Sequence, residues 1–464
     1  MSDLLSSVLM LKNRISTGVK LLAVCAMALL MLIPAWFVYS VVDDRSQRAA
    51  GVVKEISDQI GGHQIFLGPT LAIPYDIPAQ STSEPAKHGT YLVFPAQASA
   101  SVTTATEERH RSLFRVPVFR ADLNLASSFD LAGVPDALPA GASLDWQHAQ
   151  FVVGVSDPRG ALADATLNFG GKAVTLEPAR VIPDLSFGSD PSTHTRLALF
   201  AAAAGELAKP DTQFTVNATM RFSGAQRIAV LAYGKTTRLS MAGDWANPGF
   251  DGGFLPVTRS VTTNGFRAEW SVPFIARGVR PEGMSRSITG LDSTALGVSF
   301  IEVADPYQSV NRSLKYLPLF LGLVFLSYFV FEVTARKRVH PAQYLLVGVA
   351  QIVFYLLLLS LAERIGFDFG FLVAGAATVL LLSANAGWIF ASRMQALKAG
   401  TIFTSLYAFI YMLLRLEDNA LLLGAIASFL AVAAVMYCTR RIDWYGTLPA
   451  GSMAPAGNGA LPPE

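Results

Sequence analysis

The chain has 464 residues, of which 52% are hydrophobic and only 15% charged, against roughly 25% charged in an ordinary soluble domain. Its 36 Lys/Arg and 34 Asp/Glu leave a net charge of +2, too small for the basic face that nucleic acid requires, so nucleic-acid binding is set aside. Two cysteines, Cys25 and Cys438, exclude a disulfide-built scaffold.

In chain order, a short N-terminal segment (1–20) leads into an apolar run, Leu21 to Val42. A helix needs about 20 apolar residues to cross a bilayer at ~1.5 Å per residue, so 21–42 is read as the first transmembrane helix. The run is longer than the roughly 7–15-residue core of a signal peptide. Trp36, Phe37 and Tyr39 stand where a small-residue cleavage site would follow, so the segment is read as a retained anchor. Those aromatics suit an interfacial belt, and Pro34 predicts a kink near that end. Residues 43–60 continue as helix.

Residues 43–313 hold 23 Lys/Arg and 26 Asp/Glu, the balance of a water-exposed domain. Apolar and polar side chains alternate with period two over 113–125, 213–222, 227–233 and 296–303, the pattern of half-buried strands. Ser156-Asp157-Pro158-Arg159-Gly160 and Asn247-Pro248-Gly249 are read as turns. The Ala-rich stretch 195–208 is read as a helix, or as a strand leading into a short helix. An antiparallel sandwich or curved sheet follows, with length enough for two lobes. Five further apolar runs, 316–335, 342–362, 369–391, 400–416 and 419–438, are read as transmembrane helices two to six. A tail, 439–464, is Pro/Gly/Ala-rich and expected to be disordered from about 449. The fold class is therefore a membrane protein with six α-helical spans and a large, mostly antiparallel β domain between spans one and two.

Orientation follows from the basic residues. Lys12, Arg14, Lys20, Arg336, Lys337, Arg338, Arg393, Lys398, Arg440 and Arg441 lie on one side, with only Arg364 and Arg415 in the short loops opposite. The positive-inside rule places both termini in the cytoplasm and the β domain outside.

The search for chemistry assigns no catalytic, cofactor-binding or metal-binding residue. The six histidines show no ligand spacing, and HExxH, CxxC, G-x-S-x-G, P-loop and G-x-G-x-x-G patterns do not occur in a suitable context. Polar residues inside spans are the informative ones. Glu332 lies near the inner end of span two, where Arg336, Lys337 and Arg338 are placed to neutralise it. Gln351 and Asn385 lie near the middle of spans three and four, as interhelical hydrogen-bonding groups or as part of a transport path. Glu363, Arg364, Arg415, Glu417 and Asp418 form a charged rim at the outer ends. Small residues at helical spacing (Gly370, Ala374, Thr378; Gly424, Ser428) are read as packing faces. An acid at mid-span, which an ion-coupled transporter usually carries, is missing from the sequence.

Several blocks carry a resemblance. They are Phe66-Leu67-Gly68-Pro69-Thr70-Leu71-Ala72-Ile73-Pro74, the turn Val155-Ser156-Asp157-Pro158-Arg159-Gly160, Gly253-Phe254-Leu255-Pro256, and Gly265-Phe266-Arg267-Ala268-Glu269-Trp270. The most specific are Arg338-Val339-His340-Pro341-Ala342-Gln343-Tyr344-Leu345-Leu346-Val347-Gly348 and Arg441-Ile442-Asp443-Trp444-Tyr445. From the first span to Tyr445 the chain resembles the CreD family of bacterial inner-membrane proteins, associated with cell-envelope integrity. That resemblance implies an inner-membrane location, a link to envelope stress and the β-lactam response, and no known catalytic activity or catalytic residues.

Pro341 suits the first turn of a helix, where its missing N–H costs nothing. Arg336, Lys337, Arg338 and His340, with Asp443 on the same side, either anchor to anionic headgroups or form a docking surface for a cytoplasmic partner. Membrane lipids are the expected partners, together with envelope proteins or cell-wall components. Two functions remain open. One is a non-enzymatic envelope factor whose external domain binds a partner. The other is a transporter or lipid-handling protein built on the C-terminal five helices.

Overall fold

The structure is a computed structural model, and it describes residues 17–79, 86–111, 114–134, 138, 141–179, 197–300, 306–335, 337, 339–415 and 420–440. The chain divides into two units: residues 48–303, and residues 1–47 together with 304–464.

A helical rod opens the chain, α1 (Thr17–Leu30) followed by α2 (Leu32–Gln59). Hydrogen bonds from Met31 N–H to the Met27 carbonyl and from Ala35 N–H to the Met31 carbonyl carry the helix through the junction. Pro34 has no N–H to offer the Leu30 carbonyl, so the irregularity falls one turn before the proline. Leu22, Ile33, Trp36 and Phe37 are exposed, the arrangement of a lipid-facing helix.

The unit 48–303 holds two sheets, with strands numbered in chain order. The ten-stranded sheet contains β1 (Gln64–Ile77), β2 (Lys87–Val93), β5 (Ser143–Leu144), β6 (Gln150–Val155), β9 (Glu177–Pro178), β10 (Ala198–Ala203), β12 (Arg227–Leu231), β14 (Pro248–Gly252), β17 (Glu282–Met284) and β18 (Ala295–Phe300). The eight-stranded sheet contains β3 (Gln97–Arg111), β4 (Phe114–Asp130), β7 (Thr166–Phe169), β8 (Lys172–Thr175), β11 (Gln213–Ala225), β13 (Thr236–Gly243), β15 (Thr258–Thr262) and β16 (Gly265–Val272). Pairing is antiparallel except for β1 with β12 and β3 with β13. The first sheet runs β14-β18-β12-β1-β6-β10-β9, with β1 at its centre.

Alternation explains the long strands: in β11 every second residue from Val216 to Phe222 is buried, and β4 pairs with it residue for residue over its whole length. Phe66, Phe151 and Val230 from one sheet and Phe129, Phe222 and Leu239 from the other lie in one continuous buried cluster. Among the described residues the two sheets thus share one core. A satellite cluster packs Val52, Val53, Ile56 and Ile60 from the end of the rod against Val116, Val118 and Ala225.

Two local expectations change. Asn247-Pro248-Gly249 is not a free turn, because Pro248 opens β14, the end strand of its sheet, where a missing N–H is tolerated. Within 195–208 the described residues form β10 followed by one 3-10 turn, Gly205–Leu207. Despite its alanines β10 is a strand, because β6 supplies a full antiparallel ladder for all six of its residues. A short helix α3 (Phe274–Arg277) follows β16.

The helical unit continues with α4 (Pro306–Lys315), α5 (Leu317–Ala335), α6 (Pro341–Ile365), α7 (Phe367–Phe390), α8 (Arg393–Arg415) and α9 (Ala420–Thr439). Among the described residues five helices are long and apolar enough to cross a membrane: the N-terminal rod and α5 to α8. The expected sixth span, 419–438, coincides with α9. The amphipathic α4 buries Tyr307, Val310, Ser313 and Leu314 and groups with the helices, whereas the sequence reading carried the β domain to 313.

Candidate functional site

In the helical unit the polar side chains come together as pairs and small networks. Glu332, in the last turns of α5, is 5% exposed. Its carboxylate accepts from Lys20 Nζ, from the backbone N–H of Val339 at 2.7 Å and from the Tyr344 hydroxyl at 2.9 Å. A buried carboxylate is tolerable only with donors of this kind. The sequence placed its counter-charge in Arg336, Lys337 and Arg338; among the described residues Lys20 pairs with it. Arg336 and Arg338 lie outside the described residues. Lys337 donates to the Phe390 carbonyl at 2.6 Å, covering an open carbonyl at the C-terminal end of α7.

His340 is the N-cap of α6. Its Nδ1 accepts from the Ala342 N–H at 3.2 Å, with Pro341 in the first helical position. The specific run around 338–348 thus has a local structural logic: Val339 ties to Glu332, His340 caps, Pro341 starts the helix, and Tyr344 returns to Glu332. Gly348 continues it, since a Cβ there would lie 2.7 Å from Met31 Cγ and 3.1 Å from the Phe325 ring. Asp443 lies outside the described residues.

Deeper in the bundle, the Asn385 amide approaches the Tyr328 hydroxyl at 3.4 Å, and that hydroxyl donates to the Leu382 carbonyl at 2.8 Å. Gln351 is 2% exposed, and neither its amide nitrogen nor its amide oxygen has a hydrogen-bond partner among the described residues. An unsatisfied amide at this depth costs about 1–3 kcal/mol, and among the described residues nothing answers the polarity of Gln351. At the opposite ends the rim resolves into two separate groups. Glu363 accepts from Tyr307 at 2.9 Å and pairs with Arg45 at 3.7 Å, while Asp368 pairs with Arg415 and accepts from Tyr411 at 3.1 Å. Glu417 and Asp418 lie outside the described residues.

The β domain carries buried polar residues that sequence reading missed. Gln64, fully buried in β1, donates to the carbonyls of Gly61, Asp157 and Ser223 at 2.8, 3.0 and 3.3 Å. It joins the end of the rod, the Ser156–Gly160 turn and β11. In that turn Asp157 is held below the usual carboxylate range by hydrogen bonds and charge from Arg159. Tyr233, directly after β12, donates to the Ser99 and Ala126 carbonyls at 3.0 Å each, and burial drives its pKa strongly upward. Its ring lies against Gly68, where a Cβ would come within 2.4 Å. Arg277 is 2% exposed; it donates to the Ala232 carbonyl at 2.8 Å and lies 4.2 Å over the Phe94 ring, and burial lowers its pKa to about 10. In sequence Gln64 stands only as a polar residue after Gly61-Gly62-His63 at the head of the apolar run Ile65-Phe66-Leu67, with nothing to mark it as buried. Among the described residues no three His, Cys, Asp or Glu side chains are placed to hold a metal ion.

Comparison with known proteins agrees with this layout. A family model described as Inner membrane protein CreD matches residues 16–445. The Inner membrane protein CreD of Escherichia coli (strain K12) is 29% identical over 440 residues, covering 92% of this chain and 93% of that protein. The match begins at the start of the rod and runs past α9, through both sheets and the Glu332 network, so the chain belongs to the CreD family.

Proposed function

We propose that this chain is a non-enzymatic protein of the bacterial inner membrane that supports envelope integrity and the response to envelope stress or β-lactams. Residues 43–313 stand in the periplasm as a binding domain, and both termini are cytoplasmic. The observation that carries this reading is the construction of the chain itself: lipid-facing helices and a large two-sheet domain lie in one polypeptide of the CreD family. The basic residues supply the orientation. The buried polar groups described in the β domain serve the fold, since Gln64 and Tyr233 spend their hydrogen bonds on backbone carbonyls. Partners are membrane lipids and envelope proteins or cell-wall components.

The test is deletion of the gene followed by challenge with detergent and a β-lactam, with complementation by the full chain. Sensitivity restored to the parental level by the full chain is expected. Parental resistance in the deletion strain refutes the proposal. Labelling of single cysteines introduced at exposed Val257 and near Lys337 checks the orientation: an impermeant thiol reagent should reach the first from outside and not the second.

One observation favours the second reading, a transport or lipid-handling path through the helices: the unanswered amide of Gln351. Gln351→Leu with Asn385→Leu separates the two. An unchanged membrane level with a lost phenotype supports the path, and an intact phenotype rejects it.

A further inference from the structure

We propose that α7 and α8 form a binding site for one phospholipid with a zwitterionic, ethanolamine-type headgroup. Between these two helices runs a groove of about 630 Å³, lined chiefly by Leu372, Gly375, Ala376, Val379, Tyr407 and Ala408. Small residues at 375, 376 and 408 leave the helices apart where larger ones would fill the gap. Leu372 and Leu380 on its rim are strongly exposed, so the opening faces the acyl phase rather than another described helix. α9, the remaining described helix of this unit, packs against α8 and α5.

The end of the groove decides the occupant. Asp368 and Tyr411 line that end, and Asp368 pairs there with Arg415, both side chains staying about half exposed, at 47% and 56%. The Tyr411 hydroxyl donates to Asp368, and the Arg415 guanidinium lies 5.8 Å from the Tyr411 ring centre. One mouth therefore offers a cation and an anion side by side, both with free surface. An ethanolamine phospholipid carries the complementary couple, phosphate for Arg415 and ammonium for Asp368, directly above an acyl chain that suits the apolar slot. An anionic headgroup answers only the arginine and is met by the Asp368 carboxylate. A wholly apolar occupant, such as a helix of a second copy, leaves both charges unused. The volume lies within the range of sites that enclose a small ligand.

The test uses the full chain, extracted in mild detergent from membranes containing both phosphatidylethanolamine and phosphatidylglycerol, with bound lipid read by native mass spectrometry. Three variants accompany it. Ala376→Trp and Ala408→Leu fill the slot from opposite helices on exposed positions, and Arg415→Gln removes the phosphate partner. The wild-type chain should retain phosphatidylethanolamine in preference to phosphatidylglycerol. Retention should fall about tenfold in either slot variant and about tenfold in Arg415→Gln, the loss of one charge-assisted contact. A photoreactive phosphatidylethanolamine should label peptides within 367–411. Equal retention in all four proteins overturns the site, as does preference for phosphatidylglycerol or crosslinking of a second copy across the groove. These outcomes are independent of the envelope phenotype, because they read lipid on the isolated protein.

Discussion

Replacing Lys20 by Met should show how much the Glu332 network contributes. Glu332 is almost fully buried, and after the change its carboxylate keeps two neutral donors, Val339 N–H and Tyr344 O–H, but no cation among the described residues. Breaking a buried ion pair from one side costs about 3–5 kcal/mol. The Lys20 side chain is 30% exposed, so water reaches part of the pair and the lower end, about 3 kcal/mol, is expected. Glu332→Gln keeps an acceptor oxygen for one of the two neutral donors, lets the Tyr344 hydroxyl turn to accept from the new amide N–H, and frees a lysine that can reach toward water; about 1–2 kcal/mol is expected. The double variant holds no buried charge and should lie within ~1 kcal/mol of the parent, a coupling of about 3 kcal/mol. Equilibrium unfolding of the full chain in mixed micelles, followed by tryptophan fluorescence, measures all four proteins. Two single effects that simply add in the double variant would falsify the account of Glu332 as a carboxylate stabilised chiefly by Lys20.

Other consequences are open to the same assay. Gly68→Ala drives a methyl into the Tyr233 ring and should cost about 3 kcal/mol, the upper end of overpacking; a parental unfolding midpoint would reject that contact. Tyr233→Phe keeps the packing and loses one hydroxyl shared by two carbonyls, for about 1–2 kcal/mol. Gln351→Leu exchanges an unanswered amide for an apolar side chain of similar length and should be neutral or stabilising by ~1 kcal/mol, whereas a loss above ~2 kcal/mol would reveal a polar partner at that position. Asp157, whose pKa is depressed by Arg159, contributes stability that is present above the ordinary carboxylate range near ~3.9 and is lost as pH falls through the lower folded value. Asp157→Asn should therefore flatten the acid side of the stability curve and leave its neutral limb parallel to the parent's.

What could be read from sequence was whatever repeats at short range. The spans were legible because an apolar run of bilayer length needs no partner to be recognised, and β11 because one buried face imposes strict alternation. β3 escaped notice because its inward positions are small, Ala98, Ala100 and Val102, among serines and threonines. α4 was missed because ten residues give too few turns for a period to stand out. The Lys20 contact with Glu332 spans 312 residues of sequence; charge alone names no partner across such a distance. The 338–348 block was specific as a string, but its reason appeared only with Tyr344 and Val339 both turned onto one carboxylate.

The central place of β1 has a consequence for how the domain is made. Made first, this strand sits between β6 and β12, and β12 in turn leans on β18. Its parallel ladder with β12 joins Gln64 to Ile228 and Phe66 to Val230, a closure of more than 150 residues. Such long-range pairing delays folding until the last partner is available. β2 can cover Leu71–Ile77 on that edge early, but the start of the strand, Gln64–Phe66, must wait until residue 228 has emerged, and the sheet is complete only when β18 arrives at residue 295. A nascent chain arrested before that point is the form most exposed to aggregation and proteolysis.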